Sequence, residues 1–409
     1  MGITRVTATS EGRSGWAEIT VSQPTPPPPV VASVTLDAAT YTLVERASHR
    51  FVATPRDAEG APIAGIAVDW ASSDAAVAAV AADGTVTALS WGTARVTARV
   101  GEKVATATVH VTMDFAYDLL YDVQPGDARG PELFRLDVRA PGSTAARVFQ
   151  SAGTWAASAS PDGSRIAFAC TSDGPSICAA NADGSGVVVL TPGTANEDQP
   201  VWSPDGSRIA FRRWPAGGPP GLANRADIWV MNADGTGQVS ITAGLPAGGT
   251  HQSPTWSPRQ ADGSYRIAFA RLTKPGEYVV GRIQSVRVDG TDARAITAGR
   301  EYLEDEPAWS PDGRTIAFVR TGGTAFGDLW TVNATGGEER PLMVQDPDAA
   351  QASPAWSPDG RFIAFTSKHE LSADNRWTFQ VYTVRADGTQ LTRRTADGSD
   401  KEHPAWVRR

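Results

Sequence analysis

The sequence predicts an all-β protein: a six-bladed β-propeller over residues 113–409, an N-terminal Ig-like β-sandwich over 31–112, and a partial preceding Ig-like repeat. Three observations carry this. Gly (40) and Pro (29) are abundant in 409 residues, which favours short strands joined by tight turns. Strict alternation in Arg95–Val100 and Ala105–Val111 marks half-buried strands near the start. A Ser-Pro-Asp-Gly turn followed by Ile-Ala-Phe recurs through the C-terminal part, as supersecondary repeats do.

Taken in chain order, Gly2–Ala8 is echoed by Gly92–Ala98, and the echo runs ungapped to Val21 and Val111. Residues 1–22 therefore read as the C-terminal strands of a truncated repeat. No signal peptide precedes them, so the start reads as a cut inside a longer protein. Residues 23–30, with Pro24 and Pro26 to Pro29, read as a Pro-rich linker in extended polyproline conformation. Residues 31–112 hold several short strands, at Val34–Leu36, Phe51–Thr54, Val68–Asp74 and Ala82–Thr87, which fit an Ig-like sandwich. On Val68–Asp74, Val80–Thr87 and Gly92–Ala98 this unit resembles the bacterial Ig-like family of group 2 (BIG2). That resemblance implies a spacer or adhesion module on a surface or secreted protein.

In 113–409 the repeat appears as Ser160–Phe168, Ser203–Phe211, Ser310–Phe318 and Ser357–Phe365, with a diverged copy at Ser257–Phe269. Trp202, Trp256, Trp309 and Trp356 precede four of the five. Each copy continues into another strand, as at Asp227–Asn232, Asp328–Asn333 and Val381–Arg385. A short last strand follows, as at Gln238–Thr242 and Arg294–Thr297. Four strands per repeat of roughly 40–55 residues is the pattern of propeller blades. In the turn, Pro sets φ, Asp accepts backbone N–H groups and Gly takes positive φ.

Five motifs suggest five blades, but the ends argue for six. Tyr117–Tyr121, Glu132–Asp137 and Arg147–Phe149 supply strands without a leading motif, and His403–Val407 opens a motif with nothing after it. The C-terminal strand should therefore become the innermost strand of the first blade, which removes exposed edges. On these repeats 113–409 resembles the TolB-like propellers, which carry a WD40-like Ser-Pro-Asp-Gly repeat. The resemblance is specific for fold and not for function. Similar propellers occur in prolyl peptidases and oligogalacturonate lyases.

Composition excludes several classes. The net charge is −8 with no basic block, so a nucleic-acid partner is not expected. No apolar run approaches the roughly 18–20 residues of a membrane span. No Gly-x-Ser-x-Gly elbow exists. Asp183, Asp234 and Asp387 lie in Ala-Asp-Gly sequences without EF-hand spacing and read as hairpin turns. Cys170 and Cys178 flank a hairpin-like loop, so a disulfide between facing strands is expected. The alternative is two small buried thiols.

The candidate site follows from the repeat. Segments leading into each innermost strand should line one mouth of the channel. There they gather Glu197, Asp198, His251, Gln252, Glu304, Asp305, Glu306, Gln351, Lys401, Glu402 and His403 as ligand-binding candidates. His251, Glu304, Asp305 and His403 are the candidate ligands for a divalent cation, calcium or manganese. The plainer alternative is that these are solvated loop residues. No catalytic set is expected. The reading is a non-catalytic, monomeric, extracytoplasmic recognition or scaffold protein of a bacterium, whether periplasmic, cell-surface or extracellular. It would bind a protein, peptide or glycan, with Ig-like spacers. The alternative is a metal-dependent polysaccharide lyase, or another carbohydrate-active enzyme, of the oligogalacturonate lyase type. That alternative would use His251, His403, Gln252 and Gln351, although an acidic mouth repels a polygalacturonate.

Overall fold

The computed structural model describes residues 2–21, 30–89, 92–112, 116–124, 130–139, 144–149, 153–171, 174–193, 195–218, 224–274, 279–299, 301–322, 327–343, 349–368 and 378–409. The Pro-rich stretch 24–29 lies outside them. Among the described residues the regular elements are all strands. The chain divides into two compact units, Met1–Asp114 and Phe115–Arg409.

In the first unit, Gly2–Ser10 and Arg13–Val21 form a two-stranded hairpin with Val6 opposite Ala17. The complete Ig-like part holds a four-stranded sheet in the order Thr40–Val44, Lys103–Thr112, Gly92–Val100, Asp69–Ser72. Its other strands pair as Ser33–Leu36 with Ala53–Arg56, and as Ser48–Arg50, Thr85–Ala88, Ala78–Val80. The alternation read in Gly92–Val100 is the burial pattern: Ala94, Val96 and Ala98 are fully buried and Arg95 and Arg99 are exposed. Ala94 and Val96 join Phe51, Val86 and Val109 in one core.

In the second unit six sheets of four strands each form the blades. Blade one uses both ends of the domain: Tyr117–Gln124 pairs with Glu132–Leu136 on one side and with Asp400–Arg408 on the other. Blades two to six begin at their innermost strands, Thr154–Ala159, Asn196–Trp202, Gly249–Trp256, Leu303–Trp309 and Ala350–Trp356. The Ile-Ala-Phe triplets lie on the second strands and are fully buried. Their small Ala lets the next blade close in: Ala167 packs in one cluster with Ile209 and Phe211.

The recurring turn is self-bonded. Ser160 Oγ donates to Asp162 Oδ1 at 2.6 Å and accepts the Arg165 N–H at 2.9 Å, while Asp162 Oδ1 accepts the Ser164 N–H at 3.0 Å. Ser203, Ser310 and Ser357 repeat the bond to Asp at 2.6 Å. Trp256, Trp356 and Trp406 each donate the indole N–H to a carbonyl of the preceding blade, Val201, Ala308 and Ala355 respectively. Cys170 and Cys178 are joined within blade two with Cα atoms 5.9 Å apart. They are not directly opposite, because Cys170 faces Ser176 and Cys178 faces Phe168. The bridge crosses diagonally on one face of the strand pair.

Candidate functional site

Every innermost strand of blades two to six breaks register once, between Trp155 and Ser158, Asp198 and Val201, Gln252 and Thr255, Asp305 and Ala308, and Ala352 and Ala355. Blade one breaks at Leu120 and Asp122, opposite Ala405 and Glu402. At each break one residue takes a left-handed φ: Ala156 (51°), Gln199 (53°), Ser253 (54°), Glu306 (52°), Ser353 (55°) and His403 (47°). Proline follows in five of the six, at Pro200, Pro254, Pro307, Pro354 and Pro404. Proline offers no N–H to the ladder, and a bulge re-aims the side chain beside it. All six residues line one cavity of about 310 Å³. The five prolines and Ala157 continue its wall, and Trp309, Trp356 and Trp406 lie among its lining.

The ring alternates long and short side chains. Gln199, Glu306 and His403 stand on alternate blades, with Ser253, Ser353 and Ala156 between them. Each long residue supports the strained backbone of the next blade. Gln199 Oε1 accepts the Ser253 N–H at 2.8 Å, and Glu306 Oε2 accepts the Ser353 N–H at 2.6 Å. His403 works through a relay: its Nδ1 lies 2.7 Å from Asp122 Oδ2, which also accepts the Ala156 N–H at 2.7 Å.

A second layer precedes the bulges. Arg212 donates to Asp198 at 2.7 and 2.5 Å and to Gln252 Oε1 at 3.1 Å. Gln252 Nε2 donates to Asp305 Oδ2, and Ser253 Oγ donates to Asp305 Oδ1 at 3.0 Å. Gln124 donates to Glu402 Oε2 at 3.2 Å. Charge is therefore concentrated in little volume. Burial and then the Asp305 charge push the Glu306 carboxyl up to about 7, against the Ser353 N–H and His403. Burial likewise raises Asp305 against its three hydrogen-bond donors. At His403 burial opposes protonation, but the bond and charge of Asp122, with Glu402 and Glu306, outweigh it and push the imidazole up to about 9.

Six of the residues expected at the mouth meet in this network: Asp198, Gln252, Asp305, Glu306, Glu402 and His403. Five do not. Glu197, His251, Glu304, Gln351 and Lys401, two residues before each bulge residue, are buried inside the blades. Glu197 is held by Arg213 at 2.8 Å and by Thr191; Glu304 is held by Arg320 at 2.5 Å and by Thr297. His251 Nδ1 meets Asp227 Oδ1 at 3.1 Å with its ring edge-on to Phe269, and burial lowers its pKa against the bond and charge of Asp227. Gln351 Oε1 accepts the Leu329 N–H at 2.9 Å, and Lys401 pairs with Asp397 and Ser399. Glu197, Glu304 and Lys401 thus tie strands to connecting segments, and His251 and Gln351 tie theirs to a strand of the preceding blade. Of the four candidate cation ligands, His251 and Glu304 thus point away from the channel. Among the described residues no group of three or more His, Cys, Asp or Glu converges to hold a metal. The set expected for a lyase is divided in the same way.

Gln199, Ser253 and Ser353, at the ends of the segments expected to line the mouth, were not among the candidate residues, and neither were Ala156 and Asp122. The legible signal was the residue before proline in each innermost strand, a position whose backbone is restricted by the ring that follows. Nothing in the sequence marks Asp122.

Six four-stranded blades, closed by the last strand around a bulged polar ring, define a β-propeller of the Ser-Pro-Asp-Gly class. The chain belongs to the TolB beta propeller domain family, whose profile matches residues 129–353 and 228–409. Residues 30–111 match the bacterial Ig-like domain (group 2). The Tol-Pal system protein TolB of Rhizorhabdus wittichii is 41% identical over 58 residues, 14% of this chain and 13% of that protein. That of Gluconobacter oxydans is 34% identical over 102 residues, 24% of this chain and 20% of the relative. The chain thus spans no more than a fifth of these curated relatives. Among solved structures, TolB from Acinetobacter baumannii matches with a TM-score of 0.53 at 15% identity, covering 77% of this chain and 79% of that one. Kuenenia stuttgartiensis hydrazine synthase matches with a TM-score of 0.54 at 17% identity, covering 71% and 46%. Both likenesses speak to fold alone.

Proposed function

We propose that this chain is a non-catalytic, extracytoplasmic recognition module that binds a protein partner at the propeller channel, with its Ig-like part as a spacer. The working division is a spacer over 31–112, a linker over 23–30 and a binding domain over 113–409. The observation that carries the reading is the channel ring. Bonds between blades fix it, from Gln199 to the Ser253 N–H, from Glu306 to the Ser353 N–H and from Asp122 to the Ala156 N–H, which makes a rigid, preorganised surface of the kind that lowers the entropic cost of binding. The related Tol-Pal system proteins belong, by name, to a multiprotein system, which favours a protein as the ligand. The Cys170–Cys178 bridge fits an oxidising compartment such as the bacterial periplasm.

Photo-crosslinking in the native bacterial envelope tests this. A crosslinkable residue at Glu402, in the channel network, should capture one discrete protein that excess unlabelled chain competes away. The same residue at Asp183, on an exposed blade turn, should not. Equal capture at both positions, or none at Glu402, would remove the channel reading.

A further inference from the structure

We infer that Arg271 and Arg282 of blade four, with Arg225 beside them, form an anion site that takes the carboxylate of an acidic side chain on a peptide or protein. The site lies outside the channel network and does not depend on the channel reading.

The repeat supplies its own control. In blade three the row two residues before the bulge runs Glu197, Arg213, Asp227 across the first three strands, and in blade five it runs Glu304, Arg320, Asp328. There the glutamate holds the arginine, Glu197 Oε1 accepting from Arg213 Nε at 2.8 Å and Glu304 Oε1 from Arg320 Nε at 3.0 Å. Each guanidinium also lies over an indole, Trp229 at 4.3 Å and Trp330 at 4.2 Å. In blade four the same row is His251, Arg271, Arg282. Histidine stands where the other two blades have glutamate, and arginine where they have aspartate. Gln284, opposite Phe269, stands where they have the indole. One arginine between two carboxylates has given way to two arginines with none.

The described residues do not offset this. Arg271 is 8% exposed, and its one hydrogen bond runs from Nη2 to the Pro246 carbonyl at 3.2 Å. Burial, and then the like charges of Arg282 and Arg225, lower its pKa. Arg282 is partly exposed and makes no hydrogen bond or ion pair among the described residues. Arg225 is committed to Asp227, the same carboxylate that meets His251. Three guanidinium groups therefore share one carboxylate. Like charges directly opposite on neighbouring strands destabilise a sheet, and a buried charge without a counter-charge costs more.

The row is also reachable. It lies two steps from the pair Gly249 and Thr273, at the end of the blade where the innermost strand begins. Arg271 Nε is enclosed, but Nη1 is neither bonded nor enclosed among the described residues. The Arg282 guanidinium and Arg271 Nη1 are thus the atoms that meet the ligand. A guanidinium fork matches a planar carboxylate, and a carboxylate is what the arginine of this row binds in blades three and five.

Isothermal titration calorimetry on the full chain at low ionic strength, where charge is least screened, tests the site with three probes. They are the peptide acetyl-Gly-Glu-Gly-amide, its glutamine counterpart and inorganic phosphate. The glutamate peptide should bind at one site, and the glutamine peptide at least ten-fold more weakly. Arg282→Asp places in blade four the residue type that blades three and five have there. It should raise the melting temperature, because Arg271 gains an internal partner, and weaken the glutamate peptide at least ten-fold. Arg282→Gln should weaken the peptide likewise, and it decides alone if Arg282→Asp does not fold. Equal binding of the two peptides, tighter binding of phosphate than of the glutamate peptide, or wild-type binding by a folded Arg282 variant would each overturn the assignment. Capture at Glu402 with no glutamate-peptide binding removes this site and leaves the channel reading; peptide binding with no capture at Glu402 does the reverse.

Discussion

At the scale of single residues, Glu306 and His403 make the ring an acid-tuned device. Glu306 holds its proton more tightly in the folded chain than an ordinary carboxyl does, near 7 against 4.5. Its contribution is therefore full below about 4.5 and is lost as pH rises towards 7. His403 is also raised, to about 9 from 6.5, so its contribution is full below about 6.5 and is lost as pH rises through 9. Both losses run in the same direction. The melting temperature should fall between pH 5 and pH 9.5, by the equivalent of on the order of 2–3 kcal/mol after allowing for water in the channel. E306Q should flatten the part below pH 7 and leave the part above it. A melting temperature that does not fall over this range in calorimetry would contradict the assigned protonation states. These residues illustrate what the sequence conveyed and what it did not. His403 and Glu306 stood out as ionisable residues before a strand. Their partners did not, since the Asp122 that holds His403 comes from 281 positions away in the chain.

At the scale of elements, the bulge and the Asp-Gly turn set how closely blades approach. Ser353 sits at φ 55°, where a branched side chain crowds its own backbone. Ser353→Val should cost roughly 2 kcal/mol or more, while Ser353→Gly should be near neutral, as urea titration would measure. The turns of blades two, three and six place Gly184, Gly235 and Gly388 against carbonyls of the preceding blade. A Cβ at Gly388 would lie 2.0 Å from Leu342 O, and φ there is +84°. Gly388→Ala should destabilise by several kcal/mol, seen as a large loss of melting temperature. Gly244, with open space around it, should tolerate the same change. The strand pattern was readable because Ser-Pro-Asp-Gly carries its own hydrogen bonds locally. The register shift was not, because alternation of residue type does not announce where a strand gains an extra residue. That shift decides which of two neighbouring positions faces the channel. It sends Glu197 and Glu304 inward to Arg213 and Arg320 while Gln199 and Glu306 line the cavity.

At the scale of the whole propeller, the closing strand joins the ends of the domain: Asp400–Arg408 lies on Tyr117–Gln124, with Trp406 donating to Ala355 of blade six. Removing 404–409 should open blade one and detach it from blade six. The expected result is loss of the single cooperative melt and rapid proteolysis of 113–403. A normal melt in the shortened chain would show that closure is dispensable. This arrangement was inferable from the sequence because orphan strands at the two ends matched one missing blade, a global count that needs no side-chain detail. The closure also imposes an order in time. During synthesis the strand 117–124 is the first of the propeller to emerge and its inner partner the last. At roughly 5–20 residues per second the first blade waits on the order of tens of seconds with an unpaired edge. A ribosome that stalls anywhere before residue 400 leaves an open arc of blades, exposed to chaperones and proteases. Completion of the propeller is thus checked by the fold itself, since only a chain made through residue 408 can shut the ring.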